Sequence, residues 1–257
     1  GSSPCQDQVI PNMNNKQHIK CIKKSKVDCI IHEQMGDCLF DEDLLRNIID
    51  VRDRLLKPGG VILPSCYELF VEPIQLDQQR AVPFIWQLND VHGYDFSCLK
   101  EADMRQKYEI NSNHGYHHLR SCDPSLVDHY LTDIKPILAV DLHTVTENSL
   151  PLNINLKKKV TTSGRFDGYA VFFRCKNGAN SDDFCINTEP HAPERACHWG
   201  YRILRCDGSS KNKGDTLNVK LTVGNWADLN SWKWEQGKGG SDMGEIEMSN
   251  VKKQAWE

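Results

Sequence analysis

Apolar and polar positions change their spacing several times along the chain. Val27–Ile31 is a β-rich apolar run, and Leu44, Ile48, Val51 and Leu55 then recur at helical spacing until Lys57-Pro58-Gly59-Gly60 breaks the pattern. Val61-Ile62-Leu63-Pro64 and residues 67–71 read as further strands, joined at Pro64-Ser65. Residues 74–136 are polar and weakly periodic around anchors at Phe84, Trp86, Tyr94, Phe96, Leu99, Met104 and Tyr108, which predicts an irregular or helical excursion. From Ile137 the spacing becomes that of strands, at 138–145, 152–160, 168–173, 198–205, 217–223 and 245–251. Alternation is plainest in Leu152-x-Ile154-x-Leu156 and Leu217-x-Val219-x-Leu221-x-Val223, and strands at this density predict a sandwich or a barrel.

The first strand and the helix are separated by His32-Glu33-Gln34-Met35-Gly36-Asp37-Cys38-Leu39-Phe40-Asp41-Glu42-Asp43. Ligands of open α/β sheets bind beyond the carboxyl ends of strands, so Glu33 and Glu42 stand where they could together receive one cation. The alternative is that Asp41, Glu42 and Asp43 cap the helix and favour its positive end.

A length of 257 residues with 39% apolar side chains allows one large or two small domains with a real core, and the net charge of −4 points to neither nucleic acid nor an anionic membrane as main partner. No apolar stretch reaches the ~20 residues that span a bilayer, and no signal-peptide pattern opens the chain, so a cytoplasmic protein is expected. Gly1-Ser2-Ser3 reads as an expression remnant, with natural sequence expected ahead of it. Eleven cysteines form no C-x-x-C pair and read as reduced thiols. His114, His117 and His118 lack a fourth ligand at fixed spacing, so no metal site is expected. Trp226, Trp232 and Trp234, with the basic residues 20–26, offer a nucleic-acid stacking surface as one alternative, and an amphipathic strand at 231–235 as the other.

The acidic loop resembles the double-glutamate loop of protein arginine methyltransferases, Ser-Glu-x-Met-Gly-x-x-Leu-x-x-Glu, written here His32-Glu33-x-Met35-Gly36-x-x-Leu39-x-x-Glu42. Three further landmarks follow in the family's order. They are Leu56-Lys57-Pro58-Gly59-Gly60 with Pro64, then His92-Gly93-Tyr94-Asp95-Phe96-Ser97-Cys98-Leu99-Lys100 at the start of the dimerisation arm, then Cys197-His198-Trp199 in place of Thr-His-Trp. The resemblance implies a truncated Rossmann-like methyltransferase remnant over 1–64. A mainly antiparallel β-barrel over 65–257 would follow, with a helical dimerisation arm inserted at about 93–136.

In that family two carboxylates hold a guanidinium by charge-assisted hydrogen bonds and aim one nitrogen at the methyl sulfonium. The resemblance gives those places to Glu33 and Glu42, beside Met35, with His198 and Trp199 as the loop pair. The family's glycine-rich cofactor turn and ribose-binding acid have no counterpart in the chain, and His32, Gln34, Asp37 and Cys197 depart from the pattern. The chain therefore resembles the non-catalytic "prozyme" subunits of kinetoplastid type I arginine methyltransferases, with Glu33, Met35, Glu42, His198 and Trp199 vestigial. The resemblance implies no cofactor in this chain and S-adenosylmethionine in a catalytic partner. It also implies a heterodimer or heterotetramer formed through Tyr94, Asp95, Phe96, Cys98, Leu99, Met104 and Tyr108. An active methyltransferase with a missing or shared cofactor site and an RNA-binding module are the alternative readings.

Overall fold

Val27–Ile31 (β1) and Leu56–Leu63 (β2) pair in parallel, with Cys29 opposite Val61 and Ile31 opposite Leu63. The computed structural model describes residues 26–77, 92–95, 97–99, 117–178, 184–193 and 198–236. Between the two strands the helix Leu44–Leu55 (α1) buries Leu45, Ile48 and Ile49 in one core with Ile30, Leu56 and Ile62. The helix was expected and its buried stripe is turned slightly from the predicted one, leaving Leu44, Val51 and Leu55 half-buried. Leu56 already has extended backbone, so β2 begins inside the Leu-Lys-Pro-Gly-Gly run rather than after it. The outer face of this small sheet carries Ile31, 80% exposed, and the half-exposed Val61. Arg52 leaves the helix to donate to the carbonyls of Leu142 and Val145, each at 2.8 Å, and so ties α1 to the rest of the chain.

The remaining strands are Cys66–Leu76 (β3), His117–Ser121 (β4), Val127–Tyr130 (β5), Pro136–Asp141 (β6), Asn153–Lys159 (β7), Gly164–Lys176 (β8), Phe184–Asn187 (β9), Tyr201–Lys211 (β10), Thr216–Val223 (β11) and Trp232–Gln236 (β12). Seven of them form an antiparallel sheet with the path β4-β10-β8-β3-β5, in which β6 also pairs with β3 and β9 with β8. β12, β11 and β7 form a second, three-stranded antiparallel sheet. Tyr67, Leu69, Val71, Phe173 and Cys175 of the large sheet share a core with Leu217, Val219, Leu221, Trp232 and Trp234 of the small one. On a second core, Phe70 and Phe172 stack at 4.9 Å against Ile74, Leu126, Tyr201 and Ile203. The central strands β3 and β8 are thus buried on both faces, which is why their sequences read as continuous apolar runs rather than alternation.

Three expectations change here. The barrel is not closed among the described residues: β7 and β12 pair only with β11, so two sheets close over a common core by side-chain packing. The predicted excursion to residue 136 is too long, because β4 and β5 pair with β10 and β3 and place Leu126 and Val127 in the second core. Helical structure of the arm is not shown, and Phe84, Trp86, Phe96, Met104, Tyr108 and residues 245–251 lie outside the described residues. Finally, Trp226, Trp232 and Trp234 are all buried, which removes them as a stacking surface and leaves the strand reading of 231–235, seen as β12. Lys26, the described end of the basic run, donates to the carbonyl of Leu56 at 3.3 Å. Among the described residues seven cysteines are free thiols, no His, Cys, Asp and Glu cluster is arranged for a metal, and no helix is long and apolar enough to cross a membrane.

Glu72 of β3 is wholly buried, accepting from Lys158 Nζ at 2.6 Å, Lys135 N at 2.7 Å and Thr132 Oγ1 at 2.9 Å. Lys158 lies on β7, so this pair joins the two sheets across the core. Burial raises the Glu72 carboxyl above its usual range even against the pull of Lys158. Replacing Lys158 by Met leaves this carboxyl without its cation and should cost about 3 kcal/mol in chemical denaturation. The folded state already holds the Glu72 proton more tightly than the unfolded chain does. The variant should therefore lose further stability as pH rises through and above the ordinary carboxylate range.

Candidate functional site

The loop after β1 has almost no ladder to satisfy its backbone, and residues distant in sequence do so instead. The N–H of His32 donates to the carbonyl of Leu63 at 3.0 Å as the last bond of the β1–β2 pair. The phenol of Tyr67 donates to the carbonyl of Gln34 at 2.9 Å, and the indole of Trp199 donates to that of Met35 at 3.2 Å. Gly36 and Leu39 exchange N–H···O bonds at 3.3 and 3.0 Å, which turns the chain back on itself. A side chain at Gly36 would stand 2.3 Å from the Asp41 carboxylate, so this position requires glycine by close approach. Asp41 is buried and accepts from the N–H of Cys38 at 2.8 Å. Leu39, Glu42 and Asp43 all have left-handed φ values of 72°, 66° and 60°. That conformation is uncommon outside glycine and is held here by burial of Leu39 and Phe40 and by the bond from Glu42 N to Ala227 O at 3.0 Å. Asp43 occupies the cap position of α1 without a side-chain cap bond, and Asp41 bonds the loop instead, so the expected capping by these side chains is not seen.

The sequence-predicted residues meet only in part. His198 Nε2 lies 3.2 Å from Glu33 Oε1, with both side chains well exposed at 61% and 67%. Such a pair contributes little to stability and places an imidazole against the first carboxylate. The His198 and Trp199 rings lie 3.6 Å apart, and the Trp199 ring meets Phe173 edge-on at 5.9 Å. Met35 is buried as a packing residue, and the exposed Glu42 side chain forms no ion pair among the described residues. The loop thus offers one exposed carboxylate beside His198 and a second exposed carboxylate at Glu42.

Two contributors carried no sequence signal of their own. Tyr67 reads as one more apolar strand residue, yet its hydroxyl anchors the loop. Arg202 sits in β10 as an isolated basic residue, yet its guanidinium reaches Asp37 Oδ2 at 3.5 Å. Asp37, one of the departures from the family pattern, is paired with this cation. Trp199 was placed by resemblance to the family motif, and its indole bond to the loop became visible only in three dimensions.

His32, which stands where the family pattern has serine, is built into the same turn. Its Nε2 contacts the carbonyl of Pro64 at 2.9 Å and its Nδ1 receives the Gln34 N–H at 3.3 Å. Only a neutral ring protonated at Nε2 satisfies both partners. Burial lowers the His32 pKa from 6.5, opposed by the bond to Pro64. A lowered folded value means that the stability contributed by His32 is complete above the unfolded value and is lost as pH falls through it. Equilibrium denaturation should therefore show wild-type stability dropping below about pH 6.5, with His32→Gln giving a shallower drop.

No protein-family model matches the chain. Protein arginine N-methyltransferase 1 of Dictyostelium discoideum is 28% identical over 198 residues, which are 77% of this chain and 53% of that protein. Protein arginine N-methyltransferase 6 of Danio rerio is 29% identical over 193 residues, 74% of this chain and 52% of the relative. The chain thus spans about half the length of these curated relatives. Among solved structures, the Trypanosoma brucei PRMT1 enzyme–prozyme heterotetrameric complex with AdoHcy has a similar fold, with a TM-score of 0.59 and 22% identity, covering 84% of this chain and 65% of that one. The crystal structure of PRMT6 gives a TM-score of 0.56 at 20% identity over 86% and 70% of the two chains. The chain is thus similar in sequence to protein arginine methyltransferases over about half their length, and its fold is similar to that of their solved structures.

Proposed function

We propose that this chain is a non-catalytic regulatory subunit that pairs with a catalytic type I protein arginine methyltransferase and activates or stabilises it in a heterodimer or heterotetramer. The observation that carries this reading is the display of Tyr94. Its side chain is 70% exposed on a turn in which His92 and Gly93 take φ values of 53° and 86°. Asp95 closes the turn by accepting from Ser97 N at 2.8 Å and Ser97 Oγ at 3.0 Å, bonds that hold its carboxyl below the usual range. An aromatic residue held out to solvent is a typical interface anchor, and this one stands where the family resemblance puts the start of the dimerisation arm. Asp95 and Cys98 are exposed on the same segment and belong to the proposed contact with Leu99. The fold neighbour that is itself an enzyme–prozyme heterotetramer gives the reading its architecture.

S-adenosylmethionine fits poorly among the described residues. The N-terminus of α1, the place where an α/β unit receives an anionic ligand group, is preceded by Asp41, Glu42 and Asp43. Three carboxylates there repel the cofactor's own carboxylate, and we infer that the methyl donor is held by the partner. The regulatory subunit then acts by contact. Docking through the arm favours the partner conformation competent for cofactor and substrate, which raises activity to the extent that the contact prefers that conformation.

A second reading, an active methyltransferase with a shared cofactor site, draws on the Glu33–His198 pair, a carboxylate and an imidazole kept at 3.2 Å. Calorimetric titration of the chain alone with S-adenosylmethionine separates the two, with no heat expected for a regulatory subunit. For the principal reading, the purified chain mixed with the catalytic methyltransferase of the same organism should raise methyl transfer to an Arg-Gly-rich peptide above that of the enzyme alone. Tyr94→Ala should weaken the association about tenfold, measured by sedimentation velocity, while the exposed Lys233→Ser leaves it unchanged. A mixture no more active than the enzyme alone would overturn the proposal.

A further inference from the structure

The outer face of the three-stranded sheet is basic, on a chain whose net charge is −4. Alternation along β7, β11 and β12 sends successive side chains to opposite faces. Leu217, Val219 and Leu221 of β11 and Trp232 and Trp234 of β12 are buried in the core, and Lys158 of β7 turns inward to Glu72. Lys157, Lys159, Lys220 and Lys233 therefore stand on the other face, with Glu235 as the single acid among its described residues. The strand register sets their order. Lys157 lies opposite Asn218, two residues before Lys220, and Lys233 lies opposite Thr222, two residues after it. The four cations thus form one oblique track across all three strands, from Lys159 through Lys157 and Lys220 to Lys233, each step about 7 Å by sheet geometry. Lys157, Lys159 and Lys233 are exposed and make no ion pair among the described residues, and Lys220 meets Glu235 only at 3.9 Å. Lysines deter wrong pairing at sheet edges, which accounts for those on β7 and β12 but not for Lys220 on the central strand.

We propose that this track docks an extended acidic segment of a partner protein, one that carries Asp or Glu at alternate positions. Side chains on one side of an extended chain recur about every 6.8 Å, which matches the step between the lysines, so each carboxylate meets one ammonium. The incoming acid takes the place of Glu235 at Lys220. Lysine supplies point charges without the planar fork of arginine, so recognition rests on the spacing of charge. A single nucleic-acid strand fits this face less well, because Trp232 and Trp234 are buried and no aromatic side chain stands on the face for bases to stack on among the described residues. An anionic membrane is met by a broad basic cluster, whereas these cations lie in single file. The docking track goes beyond the subunit reading and uses none of the residues proposed for the subunit contact.

The test is fluorescence anisotropy with the full chain and a labelled peptide of alternating glutamate and serine, set against a peptide of the same composition with its glutamates in one block. The alternating peptide should bind about fivefold more tightly, and its affinity should fall as salt rises. Lys157→Gln combined with Lys220→Gln should weaken its binding about fivefold, as the loss of two exposed ion pairs predicts. Removing the same charge from α1 and β2, by Arg54→Gln with Lys57→Gln, should leave binding unchanged. Lys233→Ser, which leaves pairing with the enzyme intact, should weaken the peptide about twofold, so this proposal and the subunit reading fail separately. Equal binding of the two peptides, or equal losses in the two double variants, would overturn the proposal. Tighter binding of an oligouridine of equal charge, or retention of the chain by vesicles of phosphatidylserine and phosphatidylcholine at physiological salt, would overturn it as well.

Discussion

The indole of Trp199 reaches the carbonyl of Met35, and the phenol of Tyr67 reaches that of Gln34 one residue earlier. These two bonds hold a loop that has no strand beside it. Unpaired backbone carbonyls at this depth would be costly, and the chain meets the need with aromatic donors whose rings also fill the space beneath. Phe40 continues the same packing, edge-on to Trp226 at 5.0 Å and close to Tyr67. The shape of the acidic loop is therefore a property of the all-β part at least as much as of the strand and helix that flank it.

That dependence explains how a left-handed backbone at Leu39, Glu42 and Asp43 persists without glycine. Each of these conformations costs free energy, and the cost is met by burial of Leu39 and Phe40 and by the bond from Glu42 to Ala227. The result is a turn on which the Glu33 and Glu42 side chains are both exposed. Charge on the loop is then settled locally, with Asp41 on the Cys38 amide, Asp37 on Arg202 and Glu33 on His198. A carboxylate-rich segment so arranged need not repel itself, because each acid but Glu42 and Asp43 has a donor assigned, and Asp43 pairs at the surface with Arg46 at 3.6 Å.

The two sheets rest on a comparable balance. Apolar packing between β3, β8 and the small sheet supplies the bulk of the attraction, and the buried Glu72–Lys158 pair fixes their registration by demanding one specific meeting. Arg174, lying over the Phe70 ring at 4.7 Å while paired with Glu189, does the same for the segment after β9. Glu72 is tolerated in the interior because Lys158, Lys135 and Thr132 all donate to it, whereas the buried Nε of Arg174 has no hydrogen-bond acceptor among the described residues.

By itself the sequence determined the elements whose signals are local. The helix Leu44–Leu55 followed from apolar spacing, and β7, β11 and β12 followed from alternation that matches one buried face. The family resemblance picked out Glu33, Glu42, His198 and Trp199 from short ordered motifs. Local pattern misjudged β4 and β5, short strands inside a polar stretch whose burial comes from neighbours far along the chain. It left a sandwich and a barrel both open, and the barrel came from the family resemblance, since alternation shows that a strand has an inner face but not which strand it pairs with. Only the tertiary structure decided that two separate sheets share the core, that the three tryptophans face inward, and that Tyr67 and Arg202 belong to the acidic loop. Strand periodicity is written within a few residues, whereas a phenol finding a carbonyl 33 positions away, or a guanidinium an acid 165 positions away, depends on which strands lie side by side.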